Sequence, residues 1–167
     1  MNEARLSYQK LWRVSQTIQE MKRIASQYRH DMDRYFGLCP RKFFYVAKQV
    51  LYVDDDMVVQ RYVQAGLIPS DADGYEFVQR PAFTLQSGGD CDDKATMAAA
   101  YMYLQAIPWH FVTIGNEPNE WNHVYLYIKY SGQWLPYDVT ATGVDIFQDP
   151  PGTIKAPGYF KDWGGWH

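Results

Sequence analysis

The segment Ser87-Gly88-Gly89-Asp90-Cys91-Asp92-Asp93-Lys94-Ala95 constrains this chain more than any other. Two glycines make a turn, Asp90 stands where a helix N-cap belongs, and a run rich in Ala and Met follows, with Ala98-Ala99-Ala100 small enough to pack closely against a sheet. Cys91 is thereby set at a helix start. The unpaired N–H groups of a first turn and the macrodipole behind them favour an anion, so they lower a thiol from its ordinary pKa of about 8.5. Cys91 is the candidate nucleophile. A free cysteine is more often a buried packing residue, but packing needs neither the glycines nor the acids around it. Asp90, Asp92 and Asp93 would by proximity raise the thiol pKa. The expectation is that Asp90 caps the helix while the other two sit on its first turn, pointing away from the sulfur.

A nucleophile of this kind needs a base and a group to orient it. Asn122-His123-Val124-Tyr125-Leu126-Tyr127-Ile128 offers His123, and Trp134-Leu135-Pro136-Tyr137-Asp138-Val139-Thr140 offers Asp138. Two antiparallel strands joined by a tight turn, here Ser131-Gly132, would bring both side chains to one end of a sheet.

The 167 residues fit one domain that buries roughly two-thirds of its unfolded surface without cofactor or disulfide. A formal charge of -3, with Lys and Arg scattered, argues against nucleic acid as a partner. No apolar run approaches the ~20 residues of a membrane span, and Met1-Asn2-Glu3-Ala4-Arg5 does not resemble a secretory signal. These features predict a protein of the cytoplasm, or of a particle assembled there, with Cys39 and Cys91 both reduced. Aromatic residues make up 17% of the chain, more than a small core uses, so some rings should line a groove or a partner surface.

Three segments are expected: a long helix over 1–36, a core over 37–148 and an irregular tail over 149–167. In the first, Leu11, Val14, Ile18, Met21, Ala25, Tyr28, Met32 and Tyr35 alternate by threes and fours, a seam that suits either a coiled coil with another chain or packing on its own domain. At about 45 Å for some 30 residues it is long for a small domain, so part of it is expected to meet a partner. Helices are predicted over 41–52, 57–64 and 91–105, with Asp54-Asp55-Asp56 as a capping run. That run lacks the alternating ligands of an EF-hand loop. Residues 68–74 read as loop. Strands are predicted over 111–114, 124–130 and 133–138. Helices first and an antiparallel sheet after them make an α+β fold.

With these blocks in order, the chain resembles the transglutaminase-like branch of the papain-type cysteine proteases. Gly89-Asp90-Cys91-Asp92-Asp93-Lys94-Ala95, Ala106-Ile107-Pro108-Trp109-His110-Phe111-Val112, and His123-Val124-Tyr125 followed by Trp134 to Thr140 carry the resemblance. Phe77 to Gln86 is similar to the lead-in of bacteriophage-encoded members. Ala106 stands where the family has Gly before Ile-Pro.

The resemblance implies a catalytic helix packed on a small antiparallel sheet and a Cys91-His123-Asp138 triad for acyl transfer, giving either amide hydrolysis or transglutamination of a protein or peptide substrate. The Cys91 N–H would be one oxyanion donor, and Gln86 is the candidate for the second, with Gln79 as a substitute. His110 is a lesser candidate for the base. A zinc site from Cys91, His110 and His123 is disfavoured without a Cys-x-x-Cys pair, so neither metal nor cofactor is expected. The alternative from another class is an assembly component of a phage-like virion that retains the fold, held to its partners through the N-terminal helix and the C-terminal tail.

Overall fold

A computed structural model describes residues 6–9, 13–66 and 76–167. The elements follow in the order β1 (Leu6–Gln9), α1 (Val14–Gln27), a 3-10 helix (Arg29–Tyr35), α2 (Pro40–Lys48), α3 (Asp55–Gln64), β2 (Glu76–Gln79), α4 (Pro81–Ser87), α5 (Cys91–Leu104), β3 (Trp109–Ile114), β4 (His123–Tyr130), β5 (Gln133–Tyr137) and β6 (Phe160–Trp166). The sheet order is β5-β4-β3-β6, all antiparallel, and β1 pairs with β2 in a separate ribbon. The fold is α+β. Among the described residues no helix is long and apolar enough to cross a membrane.

α5 is the axle. Every residue from Asp93 to Met102 is buried, which the small side chains of Ala95 and Ala98–Ala100 permit by letting backbones approach from all sides. The sheet covers one side through Leu126 and Ile128, and α1 with the 3-10 helix covers another. Helix α5 closes with a Schellman motif: Ile107 N–H donates to Met102 O at 2.9 Å and Ala106 N–H to Tyr103 O at 3.1 Å. The motif requires a left-handed residue, and Ala106 takes φ 57° where glycine is usual.

The heptad seam is spent inside this domain. Ile18, Met21, Ile24, Ala25 and Met32 are buried in the core against α5. The single helix expected over 1–36 is divided, with α1 ending at Gln27 and a 3-10 helix running from Arg29, so the seam never extends far enough to form a rod. Leu11 and the loop expected over 68–74 lie outside the described residues. The tail is the second correction: its last part is β6, hydrogen-bonded along β3. Periodicity misses it because Gly164 and Gly165 interrupt the alternation. Residues 149–155 are tied down as well, since Tyr125 and Tyr127 hydroxyls donate to Asp149 Oδ1 at 2.6 and 2.8 Å and Lys155 pairs with its other oxygen.

Candidate active site

The glycine pair has a second task besides starting a helix. Residues 51–53 run alongside it, with Gly89 N–H donating to Leu51 O at 3.0 Å and Val53 N–H to Gly89 O at 3.1 Å. A Cβ on Gly88 would collide with the Leu51 carbonyl, and one on Gly89 would meet Asp93. Gly88 also holds φ 83°. This bridge sets Tyr52 beside the nucleophile.

Asp90 caps α5 as expected. Its Oδ1 accepts from Asp92 and Asp93 N–H at 3.1 and 3.2 Å, and Asp93 returns the bond by accepting from Asp90 N–H, a capping box. Asp93 is fully buried and turned to Gln79, accepting from its N–H at 2.7 Å and its side-chain amide at 2.9 Å. Asp92 departs from the expectation, since its Oδ1 accepts from Cys91 Sγ at 3.6 Å. Burial, then Asp92 and Asp90, push the Cys91 thiol well above its ordinary value, while a Val124 N–H bond pulls the other way. The lowered thiol pKa expected from the helix start is therefore corrected: the resting sulfur is a thiol.

His123 begins β4, one residue before the Val124 N–H that meets the sulfur. Its Nε2 stands 2.7 Å from Asp138 Oδ2. Asp138 follows β5 and is inaccessible to solvent; its Oδ1 accepts from Thr140 and Ala141 N–H at 2.9 and 3.1 Å. Burial alone would raise this carboxyl, but the bond and charge of His123 and the two N–H groups more than offset it and hold it below the usual range. Lys48 donates to Ala141 O and so fastens the loop that presents the carboxylate.

Cys91 and His123 line one cavity of about 360 Å³, within the size range of ligand sites. Trp121, Asn122, Thr113 and Tyr52 share its wall, with Arg13 and Thr17 on the α1 side. Gln86 is exposed on α4 and is not among the lining residues. Gln79 is buried and engaged, its amide donating to Gly88 O and Asp93, so it braces the glycine turn from behind. Tyr52 is the residue the sequence did not single out. Tyr52 is half-exposed; partial burial, then the nearby Cys91, Asp90 and Asp54, the last also bonded to its hydroxyl, raise that hydroxyl to about 12, so it stays protonated at neutral pH. Only the bridge between 51–53 and the glycine turn puts it there, and no local pattern signals such a contact.

Asp55, Asp90 and Asp93 bring carboxylate oxygens within 4.8 Å of one another. Burial, then Asp90 and Asp93, raise Asp55 to about 10, so this cluster keeps a proton at neutral pH. His110 is not part of the cavity lining; it lies four residues along β3 from Ile114, the partner of His123. That is about 13 Å at strand rise.

No family model and no curated protein matches the chain. Among solved structures it is similar to the "putative cysteine protease" of Cytophaga hutchinsonii, at 16% identity and a TM-score of 0.43, over 70% of this chain and 37% of that one. The chain thus spans just over a third of that protein.

Proposed function

We propose that the protein is a cysteine-dependent acyl-transfer enzyme acting on amide bonds of proteins or peptides, with Cys91 as nucleophile, His123 as base and Asp138 as the group that orients it. The observation that carries this reading is the His123–Asp138 contact at 2.7 Å, opening onto the same cavity as a thiol at a helix N-terminus. Nε2 is engaged by Asp138, so Nδ1 is the nitrogen left to take the thiol proton. As Sγ bonds to the carbonyl carbon, that proton passes to His123 and the oxygen becomes an oxyanion. The Cys91 N–H, which has no partner within the helix, and the Tyr52 hydroxyl stabilise it. Collapse breaks the C–N bond, His123 protonates the departing amine, and an acyl-thioester remains. Water then gives hydrolysis; an amine gives transamidation. Hydrolysis is the reading preferred here, since the cavity opens on solvent-exposed Asn122.

The alternative, an assembly component of a phage-like virion, draws on the α1 seam and the C-terminal tail as the surfaces that would meet partners. Among the described residues the seam packs on α5 and the tail forms β6, so neither lends this reading specific support.

The test is to incubate wild type and Cys91→Ala with a mixed peptide pool, with and without a primary amine, and to read new termini and amine adducts by mass spectrometry. Cys91-dependent cleavage or adducts are expected, together with a thioether or thiohemiacetal on Cys91 from a peptidyl electrophile. Wild type and Cys91→Ala giving the same products, with no adduct on Cys91, would sink the proposal.

A further inference from the structure

A second cluster of ligating side chains stands on the sheet, about four strand residues from His123 and independent of Cys91. His110 on β3 and His167, just past the end of β6, face each other through their Nε2 atoms at 2.6 Å. The other nitrogen of His110, Nδ1, lies 3.0 Å from Asp162 Oδ2. Asp162 is itself fixed, since its Oδ1 accepts from the Gly164 N–H at 2.7 Å. Trp134 from β5 stacks on the His110 ring with centroids 4.3 Å apart and meets the His167 ring edge-on at 5.6 Å.

The chain makes a local irregularity to achieve this. The register of β6 on β3 shifts between His110 and Val112. Gly164 takes φ 71° at the shift, and a Cβ on Gly165 would collide with the Trp109 carbonyl. A bulge of this kind re-aims the side chains that follow it. Here it turns His167 back over His110.

We propose that His110 and His167 form a binding site for a divalent transition-metal ion of the borderline class, such as Zn²⁺, Ni²⁺ or Cu²⁺, with Asp162 as the residue that positions His110. An Asp on Nδ1 orients the ring and leaves Nε2 as the nitrogen for a metal, and this carboxylate–histidine arrangement is the usual support of a ligating imidazole. Imidazole suits these ions over Mg²⁺ or Ca²⁺. With metal–nitrogen bonds of 2.0–2.1 Å, two tetrahedral nitrogens sit about 3.3 Å apart, so the pair must open by only about 0.7 Å. His167 is exposed, so among the described residues no packed side chain opposes that opening beyond its ring contacts to His110 and Trp134. Water completes the coordination, so the ion sits at an open site. A plain imidazole–imidazole hydrogen bond would account for the short contact, but it needs neither the fixed carboxylate nor the bulge.

The test is calorimetric titration of the full chain with Zn²⁺ and Ni²⁺, beside His167→Ala, His110→Asn, Asp162→Asn and Cys91→Ala. Wild type and Cys91→Ala are expected to take up one ion in the micromolar range. His167→Ala should weaken binding at least tenfold, and Asp162→Asn roughly 10- to 100-fold, with circular dichroism unchanged. His167→Ala alters only an exposed residue, so it decides the matter even if His110→Asn folds poorly. Unchanged affinity in His167→Ala overturns the proposal, as does no uptake by wild type at a roughly tenfold excess of metal. Loss of binding in Cys91→Ala would assign the ion to the candidate active site instead and would likewise overturn it. Because this site shares no residue with that cavity, failure here leaves the acyl-transfer reading standing.

Discussion

His123 Nε2 and Asp138 Oδ2 stand 2.7 Å apart, and the carboxylate is closed to solvent while the imidazole reaches the cavity. The pair therefore engages one ring nitrogen and, in the proposed reaction, leaves the other to take the thiol proton. Asp138→Asn would remove the charge that stabilises the imidazolium and favour the wrong tautomer. A fall in kcat of roughly 10²- to 10⁴-fold, with little change in KM, is expected. The same carboxyl links to stability. Its folded pKa is depressed, so its contribution is present above the unfolded value of about 3.9 and is lost as pH falls through the folded one. Wild type should lose stability over that acid window more steeply than Asp138→Asn, as urea midpoints would show.

Cys91 should be slow, not fast, towards a simple alkylating agent. Burial and its two acidic neighbours raise the thiol, so little thiolate exists at pH 7. Iodoacetamide at that pH is expected to label exposed Cys39 before Cys91, read by peptide mapping. Preferential labelling of Cys91 would mean that its thiolate is stabilised after all.

Asp55→Asn should stabilise the fold in a pH-dependent way. The carboxyl is raised to about 10 when folded, against about 3.9 unfolded. The stability its proton provides is full below the lower value and declines as pH rises towards the upper one. An amide needs no proton, so the gain of the variant over wild type is expected to be near zero at the acid end and to grow through neutrality. Midpoints at several pH values check this.

Gly88→Ala should be costly, because it forces both a left-handed φ and a collision with the Leu51 carbonyl. Roughly 2–4 kcal/mol is expected from strain and overpacking together. Activity should fall further than stability, since the displaced segment 51–53 carries Tyr52.

Ala106→Gly should do the opposite. Ala106 is exposed and held at φ 57° in the Schellman motif. Relief of that strain is worth about 1 kcal/mol, seen as a higher denaturation midpoint with unchanged kinetics.

The start of α5, its capping Asp90, the hairpin turn at Ser131-Gly132 and three of the sheet strands were legible in the chain because each depends on chemistry within a few residues. The turn pair takes positive φ at both positions, 53° and 78°, as a tight hairpin demands. The pairing of His123 with Asp138 was legible for a related reason, since strand geometry and turn length convert spacing into proximity. What the chain could not disclose is everything decided through space. The ionisation of Cys91 turned on burial and on which way Asp92 points, and desolvation is a property of the packed interior. Tyr52 entered the cavity because residues 51–53 lie against the glycine turn, a contact between segments some 35 residues apart. The fate of the α1 seam turned on whether α5 was there to receive it, because an apolar stripe specifies that it will be buried, not by what.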